Sequence, residues 1–331
     1  MTVLAERSAL SNFLQLLPDT VERWVVAFEP THHGALARAV MRQIDVAAAI
    51  RLGFDAPERV RAIARALRSD PACGFLEFAV VDGDLTHRGI DYRDALMGFG
   101  RWDTARVKLC FDVTDANFAE LFSEDPYAVR ERCHDLLATV ASASALEYRS
   151  GAGDGVLALR CEPGTWRAHS GLEPDDYVLP SGEIECVPTA VDGELVVDGW
   201  IVGTIPFGMK YGRIRRGAVR LDIRNGAIAA VAGDGRADDL DLCRDLDATL
   251  ANLPGLRHVV ELGLGQSRAV ARAAEAHEVG CLWHERHFGL HLGLGAALID
   301  TPGEVKKSHH HLDLILASGR LTADDRPVLT W

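Results

Sequence analysis

SHHHLDLIL, residues 308–316, reads as a β-strand: Leu312, Leu314 and Leu316 alternate with His311, Asp313 and Ile315. Residues two apart on a strand share a face, so His309, His311 and Asp313 point the same way. Neighbours on that face stand about 6–7 Å apart at the backbone, near enough for an imidazole and a carboxylate to converge on one cation. Three histidines alone would read as a surface run. An aspartate inside an apolar strand is different, because a buried carboxylate needs a partner or a metal.

Working outward, three more stretches carry an acid or imidazole among glycines. VVELGLG (259–265) offers Glu261 at the end of an apolar run, followed by two glycines. GLHLGLG (289–295) places His291, Gly293 and Gly295 on one face, and the glycines leave room above it. LPSGEIECVP (179–188) has Glu183 and Glu185 two apart after a Pro-Ser-Gly turn, so one of the pair is expected to aim at a site. Together these stretches offer Glu183, Glu261, His291, His311 and Asp313 as metal ligands. Three carboxylates and two imidazoles suit Zn, Mn, Co or Fe(II) better than calcium or a structural zinc–thiolate site.

The rest of the chain sets the frame. WVVAFEP (24–30) reads as a strand, and residues 31–54 continue with helical periodicity from a possible N-cap at Thr31. A helix over 56–70, strands at 74–85 and 106–113, a short helix at 91–100 and a helical stretch over 115–144 follow. This half alternates strand and helix and so is α/β. From about residue 165 glycine is frequent and strands dominate, with hairpin signals at Asp192-Gly193, Asp198-Gly199 and Asn225-Gly226. The expected organisation is an N-terminal α/β domain over 1–160 and a β-rich, metal-binding α+β domain over 161–331.

With 331 residues, 48% hydrophobic and 25% charged, the composition is that of a globular protein. A net charge of -13 argues against nucleic acid and anionic membranes as partners. Seven scattered cysteines, none in C-x-x-C spacing, give no disulfide framework and point to a cytoplasmic protein. The N-terminal segment lacks the pattern of a signal peptide, and no apolar run reaches the length of a membrane span.

PSGE, ELGLG, the stretch from Glu285 to Gly295 and the closing S-x-x-H-x-D-L, in that order, resemble the M29 family of metallo-aminopeptidases. The likeness runs from about 179 to 316. It places Glu183 and Glu261 on the family's two glutamates, His291 on its histidine, and His311 and Asp313 on its closing H-x-D. The resemblance implies a two-metal centre in a C-terminal domain, a homodimer, and hydrolysis of a peptide or small amide by metal-activated water. Glu185, His287 and His309 are then candidates for acid–base or supporting roles. Three departures are plain. Leu298 stands where the family has a tyrosine, the His291-to-His311 interval is compressed, and His284 and Arg286 replace an aspartate and a lysine.

The sequence is also similar to the 2,5-dihydroxypyridine 5,6-dioxygenases, which share that scaffold. In that reading His291, His311 and Asp313 form a two-His-one-carboxylate Fe(II) site for ring cleavage. A third reading is a relative that binds or tailors a peptide without hydrolysing it. Lys306, Lys307, Arg101, Trp102 and His87 are loop residues that could face a substrate.

Overall fold

The strand Arg23–Phe28 is buried at five of its six positions, as a strand covered on both faces should be. In this computed structural model it lies inside a five-stranded parallel sheet. The order is Val178–Leu179, Val107–Phe111, Cys73–Ala79, Arg23–Phe28, Val46–Arg51. The structure describes residues 3–80, 86–87, 90–91, 104–296 and 310–331, except 68, 175, 206, 216, 234 and 254. Parallel neighbours require crossovers, and helices Pro30–Met41 and Pro57–Leu67 supply them. Val25, Ala27, Ile50 and Phe75 belong to one core cluster.

This sheet corrects one expectation. Helical periodicity does not run through to residue 54: the helix ends at Met41, and Val46–Arg51 is a strand with Ala48 opposite Val25. Its alanines fit either period, so pairing with Arg23–Phe28 decides the conformation. The N-cap is Glu29, with Pro30 in the first turn, instead of Thr31. The expected helix at 91–100 lies almost entirely outside the described residues.

The chain divides into two compact units, one of residues 1–130 and 169–181, the other of 131–168 and 182–331. Residue 160, where the sequence reading put its boundary, lies within strand Val156–Cys161 of the second unit.

That second unit holds a seven-stranded antiparallel sheet and a six-stranded sheet. In the first of these, Asn225 and Gly226 take φ of 51° and 71°, the doubly left-handed turn expected of Asn-Gly between paired strands. Asp192-Gly193 makes no turn. Gly193 sits inside strand Pro188–Val197, paired with both Leu157 and Ile223, and a Cβ there would lie 2.2 Å from the Val156 carbonyl oxygen. The glycine serves close strand approach, not reversal. Asp198-Gly199 is where the chain leaves one sheet for the other, between Val197 and Trp200.

The six-stranded sheet runs Trp200–Gly203, His311–Ile315, Gly289–Gly295, Val259–Gly265, Glu183–Cys186, Arg167–His169. One face is aliphatic: Leu262, Leu264, Leu290, Leu292, Leu294, Leu312 and Leu314 are each at most 1% exposed. Cys186 of this sheet meets Cys161 of the other, sulfur to sulfur at 3.2 Å. The opposite face carries the polar residues. Overall the fold is mixed α/β, as the sequence indicates.

Candidate metal centre

The polar face is a chequerboard of ligand-type side chains and glycines. Across neighbouring strands Glu183 lies opposite Gly265 and Glu185 opposite Gly263. His291 lies opposite Gly263, and Glu261 opposite Gly293. Asp313 is also opposite Gly293, and His311 is opposite Gly295. The glycines are the seats of the larger groups. A Cβ on Gly263 would fall 2.0 Å from His291 Cε1, and one on Gly293 would fall 2.7 Å from Glu261 Cβ and 2.8 Å from His311 Cε1. Glu261 does not end its strand as the sequence suggested; it is the third of seven residues in Val259–Gly265.

All five sequence-predicted ligands come together. His311 Nε2 stands 2.9 Å from Asp313 Oδ1 and 3.8 Å from Glu261 Oε2. His291 Nε2 stands 3.2 Å from Glu261 Oε1 and 3.7 Å from Glu183 Oε2. Among the described residues, donor atoms of Glu261, His311 and Asp313 converge within 4.8 Å of one another. That set has one imidazole and two carboxylates. It differs from the His291–His311–Asp313 triad expected for iron, because His291 meets Glu261 on that carboxylate's other oxygen. The five residues are at most 5% exposed.

Buried charge governs the electrostatics. Burial alone would lower the His311 pKa, but the Asp313 charge and hydrogen bond override it and raise it to about 10. His291 likewise overcomes burial, through Glu261 and the charges of Glu183 and Asp313, and rises to about 9. Burial, reinforced by Glu185, lifts Glu261 to about 7. Against its own burial, Asp313 is held below the usual carboxylate range by His311. Glu261 Oε2 and Asp313 Oδ2 are buried with no hydrogen-bond partner. Carboxylate oxygens left so are costly unless a cation meets them, so the donor set fits a divalent metal ion. His311 is oriented for this role: its Nδ1 is 2.5 Å from the Ala296 carbonyl, which directs Nε2 at the site.

Of the supporting candidates, Glu185 is buried on the site face together with Glu183, so both glutamates face inward where one was expected. His287 takes no part in the described ion pairs of the centre. Its ring lies 6.1 Å from Trp200, and burial, with Arg213 nearby, lowers its pKa to about 4. His309, Leu298, Lys306, Lys307, Arg101 and Trp102 lie outside the described residues, and His87 is in the short strand Thr86–His87.

Sequence reading gave no role to Glu285 and Arg286. They end a short 3-10 turn, Leu282–Arg286, that crosses the polar face where Gly265 leaves space; a Cβ there would lie 2.8 Å from the Arg286 carbonyl carbon. Arg286 Nη1 is 2.5 Å from Glu183 Oε1 and 3.0 Å from Glu285 Oε1. Burial raises Glu285 to about 8 even beside that guanidinium. His284 of the same turn stacks on Trp283 at 4.0 Å and lies 4.3 Å from Trp200, and burial lowers its pKa to about 3. It is a neutral packing residue. The available signal was an adjacent acid–base pair just ahead of a glycine-rich histidine strand.

No family model and no curated protein match the chain. Among solved structures the chain is similar to 2,5-dihydroxypyridine dioxygenase from Pseudomonas putida KT2440. The TM-score is 0.66 at 18% identity, over 98% of this chain and 95% of that one. At that identity the likeness shows a shared fold. It falls on the dioxygenase group named from the sequence, and it lends no support to M29 membership, hydrolysis or a homodimer. Among the described residues no helix is long and apolar enough to cross a membrane.

Proposed function

We propose that the chain is a metal-dependent enzyme, with a single Fe(II) held by Glu261, His311 and Asp313, that cleaves an aromatic or hydroxypyridine-like ring with dioxygen. The observation that carries the reading is the buried convergence of those three donors, two of which keep a carboxylate oxygen without a hydrogen bond. The fold shared with a dioxygenase along 98% of this chain supports the choice of chemistry. When bound, iron would supply redox chemistry with dioxygen. The chain's own part is to hold His311 by the Ala296 carbonyl and to keep the face dry. Glu285 retains a proton near neutral pH, so its carboxyl can donate to or accept from a substrate oxygen.

A second reading, a two-metal hydrolase using Zn, Co or Mn on a peptide or small amide, is favoured by one specific feature. Glu261 turns one oxygen toward His291 and the other toward His311, as a bridging carboxylate would. Seven free cysteines, six of them buried, support a reducing, cytoplasmic setting.

Elemental mass spectrometry on untagged protein, paired with two assays, separates these readings. One iron per chain with oxygen uptake on 2,5-dihydroxypyridine is the expected result. Zinc, cobalt or manganese with release of amino acids from a dipeptide panel would replace it by the hydrolase. Absence of metal after reconstitution would overturn both and leave peptide binding without turnover.

A further inference from the structure

The polar face offers donors for two ions, yet one of the two places is contested. Glu261 Oε2, His311 and Asp313 make the first set. Glu261 Oε1, His291 and Glu183 make the second, with His291 Nε2 at 3.2 Å and 3.7 Å from its two carboxylate neighbours. Glu183, however, already has a cation: Arg286 Nη1 stands 2.5 Å from its Oε1 and 3.0 Å from Glu285 Oε1. Arg286 is 7% exposed and Glu183 2%, so water screens this contact little. Its position is fixed by backbone, because residues 286 and 287 cross the sheet over Gly265, directly opposite Glu183.

We infer that Arg286 stands in for a second metal ion, acting as a permanent internal cation that limits this centre to one metal per chain. The inference rests on the metal-centre reading above and deepens it. Two ions sharing a carboxylate sit about 3.5–4 Å apart and need every donor on both sides. The guanidinium sits on Glu183 Oε1, beside the oxygen Oε2 that faces His291, and its charge repels an incoming divalent ion. Arginine suits the task because it cannot shed its proton in a protein, whereas a lysine in the same place can become neutral. Glu285 Oε1 lies 3.0 Å from the same Arg286 nitrogen and helps to hold it in place. Arg286 is thus a positioning residue that sets stoichiometry without touching the bound ion.

The test is metal stoichiometry of full-length protein saturated with Mn(II), read by elemental analysis and electron paramagnetic resonance. Wild type is expected to hold one Mn(II), with the spectrum of an isolated ion. Arg286→Met, which keeps length and removes charge, is expected to hold two, with an exchange-coupled spectrum. Arg286→Lys, at neutral pH, is expected to return to one. A coupled pair in wild type overturns the inference even where the methionine variant fails to fold. One ion in a folded Arg286→Met protein also overturns it, while leaving the metal centre itself intact. No bound Mn(II) in wild type overturns the metal-centre reading and this inference together.

Discussion

The two faces of the six-stranded sheet differ by a single step along each strand. In Gly289–Gly295 the residues Leu290, Leu292 and Leu294 point one way, and Gly289, His291, Gly293 and Gly295 the other. The leucine face tolerates only bulk and supplies stability. The other face alternates glycines with acids and imidazoles and supplies chemistry. Both are buried, so exposure does not distinguish them; the parity of a residue's position does. A strand with period two can therefore build a core and a site from the same seven residues.

Adjacent substitutions on the His311–Ile315 strand give the sharpest break. Asp313→Ala is expected to abolish metal retention, measured by elemental analysis after gel filtration. Leu314→Ala should cost about 2–5 kcal/mol in urea unfolding, through the cavity it leaves. It should keep its metal per folded chain. Metal retained by Asp313→Ala would show that the faces are not divided as described.

Next in size are the glycine seats. Gly263→Ala puts a methyl into the His291 ring and Gly293→Ala crowds Glu261 and His311. Overpacking of this kind costs about 1–3 kcal/mol, and metal affinity should fall by about tenfold or more, as when a ligand loses its support. Gly293→Ala should lose more metal affinity, since it crowds two ligands, and Gly263→Ala more stability, since its methyl would meet the ring at 2.0 Å. Isothermal titration gives the affinity, and unchanged affinity in both variants would remove the seat argument.

The polar face alone should impose a pH dependence. His291 and His311 have folded pKa values of about 9 and about 10 in the metal-free protein, above the usual value of about 6.5. Their stabilising contribution is complete below about pH 6.5 and is lost as pH climbs through 9 to 10. Glu261 and Glu285, raised to about 7 and about 8, act in the same direction from lower pH, since the folded state again holds the extra protons. The urea midpoint of metal-free protein should fall from pH 7 to pH 10, and a rising midpoint would contradict these assignments. Metal binding at pH 7 should release protons, seen as a buffer-dependent heat.

The smallest effect belongs to an exposed pair far from either face. Asp222 and Arg224 meet at 2.6 Å on the antiparallel sheet. Asp222→Ala should change stability by no more than about 1 kcal/mol, a baseline against which the other variants are judged.

Much of the site was legible because strand parity is written directly in the sequence. His311, Asp313, His291 and Glu261 announce themselves as polar residues at fixed spacing among leucines and glycines. Arg286 did not, because its place depends on a turn folding back over Gly265, a contact between distant positions that no local period encodes. The same limit explains Val46–Arg51, whose alanines carry no period and which becomes a strand only by pairing with Arg23–Phe28. It also explains Gly193, where a turn dipeptide serves close packing between two partner strands. The Asn225-Gly226 hairpin was legible because both its residues decide their own backbone.

The interleaved path of the chain bears on how the protein can be taken apart. The unit that contains the parallel sheet borrows residues 169–181, and with them the edge strand Val178–Leu179. The same segment supplies the carbonyls of Gly171 and Asp176 that accept from the buried Lys108 ammonium. A fragment ended at residue 130 would therefore expose a raw sheet edge and leave the Lys108 ammonium without its two backbone acceptors. Dissection by simple truncation should yield aggregates, whereas a circularly permuted or spliced fragment carrying 169–181 keeps that edge closed.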